Sequence, residues 1–179
     1  RLDAAGQVAA GFGPTGLNGD VFALLTEPDG SVTVGGAFTE GFGGVRARLL
    51  RLNADGSIAG SAGAGVNGTA RALARQPDGR LLIGGDFSQI GGSWPSRRIA
   101  RQLASGSIDT SFLAEVDGSV LAIALLDDGR IVIGGTFANV SGVARQNLAV
   151  LRPNGQVDFN ASFNANGAVR SITRDADGT

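Results

Sequence analysis

The chain contains no cysteine, histidine, methionine, tyrosine or lysine. Each absence removes a kind of chemistry. Without cysteine there are no disulfides, thiolate ligands or thiolate nucleophiles. Without histidine there is no imidazole metal site and no Ser–His pair, and without lysine there is no Schiff base. All 15 basic groups are therefore arginine, set against 16 acids, for a formal net charge of −1. So even a balance argues against a nucleic-acid or anionic-membrane ligand held by bulk charge. No apolar run approaches the roughly 18 residues of a membrane span, and no signal-peptide pattern opens the chain. The lack of cysteine fits a reducing compartment and equally the secreted repeat proteins that need no disulfide staples.

Glycine is what the chain has in quantity, 30 of 179 residues, without the every-third spacing of collagen. With 42% apolar residues there is enough to build a core. The glycines mark a repeat, the feature to seek first in such a composition. Gly35-Gly36-x-Phe38 returns as Gly84-Gly85-x-Phe87 and Gly134-Gly135-x-Phe137, at spacings of 49 and 50. Upstream lie Asp29-Gly30, Asp78-Gly79 and Asp128-Gly129, with Asp177-Gly178 a fourth; downstream lie Asp55-Gly56, Ser105-Gly106 and Asn154-Gly155. One domain region, 1–179, thus divides into three complete units, 19–67, 68–117 and 118–166. A partial unit, 1–18, precedes them and another, 167–179, follows.

Within a unit the pattern predicts strands. Val120–Leu125 and Arg130–Gly134 flank Asp128-Gly129, a strong short-range hairpin signal that implies a tight turn with its central residues at, or tolerating, positive φ. The second strand (Val32–Val34, Leu81–Ile83, Ile131–Ile133) is apolar almost throughout and suits burial on both faces. A third strand covers Arg48–Leu52, Arg98–Gln102 and Asn147–Leu151, and a short fourth begins at Ser57, Ser107 and Gln156. No window carries an apolar stripe at helical spacing. About four short antiparallel strands per unit of roughly 50 residues is the signature of a β-propeller blade, with a β-solenoid the rival architecture. The predicted fold is therefore an all-β propeller segment. Joining the ends would still leave out the equivalent of residues 32–50, so the expectation is a piece of a larger ring, or two chains that complete one ring.

The stretch from Val120 through Asp128-Gly129-Arg130 to Gly134-Gly135-Thr136-Phe137 resembles the bacterial delta-60 repeat, and Gly106-Ser107-Ile108-Asp109-Thr110-Ser111-Phe112 is similar to the end of that repeat. The likeness covers essentially the whole chain. It implies propeller segments of large, exported or surface-associated bacterial proteins, hence a secreted or cell-surface location, and carries no agreed catalytic residues. The first unit departs from the pattern, with Ala59 and Ala62 where the Asp and Phe stand, and the third has two extra residues before Phe163.

Several residues invite functional readings. Trp94, the one tryptophan, sits in the longest loop of the middle unit, where it is either a stacking platform for a sugar or partner or a packing cap on the next blade. Arginines cluster at Arg46, Arg48 and Arg51 and again at Arg97, Arg98 and Arg101, with single members at Arg145 and Arg170. They either line an acidic-ligand surface or form a solvated strand paired with aspartates. Trp94, Arg97 and Arg98 are the binding candidates. Asn53-Ala54-Asp55-Gly56 and Asp175-Ala176-Asp177-Gly178 resemble the opening of a calcium loop without its later ligands and are better read as turns, so no metal or cofactor is expected. The Gly-Gly pairs lack the helix and lysine of a phosphate loop and read as close backbone approaches or bulges. A carbohydrate-active enzyme would need two carboxylates about 5–10 Å apart, with Asp86, Glu27, Asp117 and Glu115 as candidates. The leading expectation is a noncatalytic scaffold whose partner is a protein or glycan.

Overall fold

The structure, a computed structural model, describes residues 5–7, 16–41, 43–45, 47–59 and 63–174. Arg46, Ala62 and Asp175–Gly178, singled out in the sequence, lie outside these residues. Every regular element among them is a β-strand. The first unit contributes β1 (Val21–Thr26), β2 (Val32–Gly36), β3 (Glu40–Gly41), β4 (Gly44–Val45) and β5 (Leu49–Leu52); the second β6 (Ala70–Arg75), β7 (Leu81–Gly85), β8 (Gln89–Ile90), β9 (Trp94–Pro95) and β10 (Ile99–Gln102); the third β11 (Ser119–Leu125), β12 (Ile131–Thr136), β13 (Asn139–Val140), β14 (Val143–Ala144) and β15 (Leu148–Leu151).

Each unit forms one antiparallel three-stranded sheet, β1-β2-β5, β6-β7-β10 and β11-β12-β15, with a two-stranded hairpin in the connection between its second and third main strands. The expected fourth strand is reduced to a single bridge, Leu52 to Ile58, Gln102 to Ile108 and Leu151 to Val157. The sheets stand side by side with β1 against β6 and β6 against β11. These are blades of a β-propeller, and the described residues do not close a ring.

The Asp-Gly turns differ from the tight type expected. The amide of Gly30 donates to the Glu27 carbonyl at 2.9 Å and that of Glu27 to the Ser31 carbonyl at 2.9 Å. Gly30 takes φ 79° while Asp29 stays out of the left-handed region, so the turn is a type I turn followed by a glycine bulge. The same bonds recur at 53–57, 76–80, 103–107, 126–130 and 152–156. The aspartate's role is in its side chain: Oδ1 of Asp29 accepts from the Ser31 amide at 2.9 Å, and Oδ1 of Asp128 from the Arg130 amide at 3.0 Å.

The two glycines of each pair do different work. The first seats the next blade: a Cβ at Gly35 would lie 3.3 Å from the Ala70 Cβ and from Leu73 Cδ1, and one at Gly84 would lie 2.6 Å from Val120 Cγ1. The second sits opposite a bulge in its own blade, between Val21 and Ala23, Ala70 and Ala72, or Val120 and Ala122. A side chain there would strike the carbonyl of Asp20, Thr69 or Ser119.

Phe38, Phe87 and Phe137 are buried in the core, and Phe112 packs against it while partly buried. The recurrence of these phenylalanines in the sequence predicts a core place for Phe163 as well, but Phe163 is exposed. The extra residues displace it: Ala161 donates to the Asp158 carbonyl as Phe112 does to that of Asp109, so Ala161 takes the buried place. Beyond it, the Val169 amide donates to the Gly135 carbonyl at 3.1 Å, and Val169 and Ile172 sit on Gly134 as Val120 and Ile123 sit on Gly84. Residues 169–172 therefore occupy the place of a further blade's first strand, without forming a strand themselves. At the other end Val21 and Leu24, whose counterparts meet a preceding glycine, are exposed, Leu24 to 68%.

Candidate functional site

Antiparallel order places the Asp-Gly turns at one end of the blades and the hairpins β3-β4, β8-β9 and β13-β14 at the other. Trp94 lies on the hairpin end, in β9, with its backbone paired to Ile90 and its side chain 45% exposed. Arg97 follows on the same connection, 70% exposed, with Nη1 3.6 Å from Glu115 Oε2. So wet a pair costs little to open. Trp94 and Arg97 therefore share an accessible loop.

Arg98 does not join them. It sits at φ 68°, with Nη1 on the Asp86 carbonyl at 2.5 Å and its own carbonyl accepting from the Gly85 amide at 2.9 Å. Arg48 and Asn147 hold the same left-handed position in their blades, at φ 63° and 61°. Arg48 bonds the Val66 carbonyl and Asn147 that of Ala165. Three repetitions of one strained conformation make this a structural corner that locks the hairpin connection to the third main strand.

The other arginines divide similarly. Arg101 is buried and donates from Nε to Asp109 Oδ2 at 2.8 Å, and its Nη1 bonds the Pro153 carbonyl of the next blade. The Phe112 ring lies 4.7 Å from its guanidinium carbon. Burial pushes the Asp109 carboxyl up, but the Ser111 hydroxyl and amide and the Arg101 guanidinium outweigh it and hold it below its usual range. Arg51 instead reaches the turn of its own blade, with Nη2 3.1 Å from Asp29 Oδ2. Arg145 stacks at 5.9 Å on Phe159.

Each candidate carboxylate has a partner. Asp86 binds Arg71 and the Ser119 hydroxyl, and Arg71 lies 4.7 Å over the Phe22 ring. Phe22, Arg71, Asp86 and Ser119 thus form one chain across three blades. Glu27 receives Arg75 from the second blade at 2.5 Å. Glu115 faces Arg97. Asp117 Oδ1 accepts from the amides of Ala138 and Asn139, both at 2.9 Å. Burial pushes that carboxyl up, but its bonds from Asn139 and Ala138 outweigh this and its pKa is lowered. In the stretch that resembles the opening of a calcium loop, Asp55 accepts from the Ser57 hydroxyl at 2.6 Å and Asn53 donates to that hydroxyl at 2.9 Å. Among the described residues no three His, Cys, Asp or Glu side chains are placed to hold a metal.

Sequence reasoning missed the clip made by Asp117. Asn67 Oδ1 accepts from the Ser88 and Gln89 amides, and Asn18 Oδ1 from those of Thr39 and Glu40. The signal was present as Asn18-Gly19, Asn67-Gly68, Asp117-Gly118 and Asn166-Gly167, a fourth periodic pair.

Three ranked blades, glycine seats and one shared turn define a β-propeller repeat segment. Residues 27–58, 76–112 and 126–158 match the family described as a domain of unknown function, the DUF5122 beta-propeller, and the chain belongs to that family. No curated protein matches it. Among solved structures it is similar to the extracellular domain of BT4673 from B. thetaiotaomicron, at 15% identity and a TM-score of 0.49. The likeness covers 88% of this chain and 19% of that one.

Proposed function

We propose that the chain is a noncatalytic β-propeller module, a structural or interaction scaffold within a larger, exported or surface-associated bacterial protein. Its hairpin loops meet a protein or glycan. The observation that carries this reading is Trp94, held on a two-stranded hairpin and 45% exposed, with Arg97 on the same connection. An exposed indole and an exposed cation on one connection are suited to stacking on a sugar or anchoring a partner. The exported setting rests on the delta-60 resemblance. The test is a glycan array and a binding screen with the purified chain, repeated with Trp94→Ala and Arg97→Ala. Binding lost in both variants with unchanged unfolding midpoints supports the reading; binding indifferent to both rejects this loop as the contact.

A carbohydrate-active propeller is the alternative, and Asp86 is the acid to test. Its bonds to Arg71 and Ser119 favour a structural role, so Asp86→Asn is expected to alter stability and no hydrolysis. Assembly of a ring from two chains is testable by light scattering over a wide concentration range. A stable mass of two chains supports it, and a monomer or an open-ended series of larger species rejects it.

A further inference from the structure

The two complete blade interfaces differ at their Asp-Gly ends. Between the second and third blades, Arg101 is 4% exposed and held by Asp109, and Arg80 stands 3.8 Å from the same carboxylate. In the third blade Arg130 reaches Asp158 at 3.3 Å in the same way. The first blade has neither partner. Ala59, whose amide donates to the Arg51 carbonyl as the Asp109 amide does to that of Arg101, replaces the acid. Ser31 stands where Arg80 and Arg130 stand, and Thr33 where Leu82 and Val132 stand. Three side chains are shortened or made polar at one place.

Beside this place, with Thr33 in its wall, lies a pocket of about 410 Å³ between the first and second blades, within the size range of small-molecule sites. Its lining includes Thr33, Arg51, Arg75, Gln102, Ser105 and Ser107, and Leu81 and Leu103 add an apolar patch. Arg51 is 39% exposed although its Nε and Nη2 bond Ser31 and Asp29, and among the described residues the two guanidiniums are the charged groups of the lining. Their carboxylate partners, Asp29 and Glu27, are not among its lining residues.

We infer that this notch is a second binding site, for a small acid bearing both a carboxylate and hydroxyls, of the uronic-acid class. A guanidinium matches a carboxylate, the exposed Ser105 and Ser107 hydroxyls match ring hydroxyls, and Leu103 matches the C–H face of a sugar. The site lies at the opposite end of the blades from Trp94, so it goes beyond the loop reading and stands or falls separately from it.

The test is calorimetric titration of the chain with galacturonate, glucuronate, oligogalacturonate and, as the neutral control, glucose. Uronate binding is expected, with the monomer and oligomer arms separating a free acid from a polymer end. Arg51→Gln should weaken it by about tenfold or more, the scale of one charge-assisted hydrogen bond. Ala59→Asp, which restores the buried partner that Arg101 has, should recapture Arg51 and abolish binding without lowering the thermal midpoint. Trp94→Ala should leave it unchanged. The inference is overturned by absent uronate binding, by equal binding of glucose, or by a folded Ala59→Asp chain that binds as tightly as the wild type.

Discussion

Arg101 Nε donates to Asp109 Oδ2 at 2.8 Å, and the same guanidinium bonds the Pro153 carbonyl across the blade boundary. One side chain thus closes its own blade's last strand and fastens the next blade's turn. Removing either partner strands a buried charge. Asp109→Ala should cost about 3–5 kcal/mol, read as a fall in the urea midpoint. Asp29→Ala, whose ion pair with Arg51 is exposed, should lose far less. Equal losses would mean that burial does not set the strength of these pairs.

The lowered carboxyls fix a direction for pH. Burial pushes Asp109 and Asp117 up, yet hydrogen bonds hold both below the usual 3.8. Asp128 is lowered chiefly by the Arg130 amide, and Asp29 and Asp55 chiefly by the hydroxyls of Ser31 and Ser57. A carboxyl whose folded pKa is depressed contributes stability above its unfolded pKa and loses it as pH falls through the folded value. Thermal midpoints should therefore be insensitive to these groups above about pH 5 and decline progressively below about pH 4. A midpoint that rises on acidification would contradict the bonding described.

Asp117 offers a finer test. Its carboxylate clips two backbone amides, and the sister blades do the same with the neutral amides of Asn18 and Asn67. Asp117→Asn should therefore preserve the clip and remove its pH dependence. Asp117→Ala should cost about 1 kcal/mol, the scale of a lost cap. Hydrogen exchange at the Ala138 and Asn139 amides would report the loss directly.

The blades were legible in the sequence because their determinants are local and repeated: apolar strands, Asp-Gly turns and a Gly-Gly-x-Phe signature. The turn geometry was not, since Asp-Gly serves both a two-residue hairpin and a type I turn with a glycine bulge. Backbone hydrogen bonds decide between them. Trp94 was legible as a loop residue by its setting in Gly-Gly-Ser-Trp-Pro. The place of Arg98 was not legible because no residue pattern announces a left-handed arginine; the corner exists through bonds to Gly85 and Asp86. Phe163 left the core because two inserted residues moved Ala161 into the buried position, a register change that composition does not reveal.

The first glycine of each pair makes the sharpest packing prediction. A Cβ at Gly84 would lie 2.6 Å from Val120 Cγ1, and Val120 is buried and stiff at its branch. Gly84→Ala should cost about 1–3 kcal/mol by overpacking. The first interface indicates the remedy: there the residue facing Gly35 is Ala70, and the approach relaxes to 3.3 Å. Val120→Ala in the Gly84→Ala background should thus recover part of the loss, a coupling that a double-mutant cycle measures. Gly167, with nothing within 4 Å of its Cβ position, is the control; Gly167→Ala should stay within about 0.5 kcal/mol of wild type. Strictly additive losses at Gly84 and Val120 would mean that the blades do not meet through this contact.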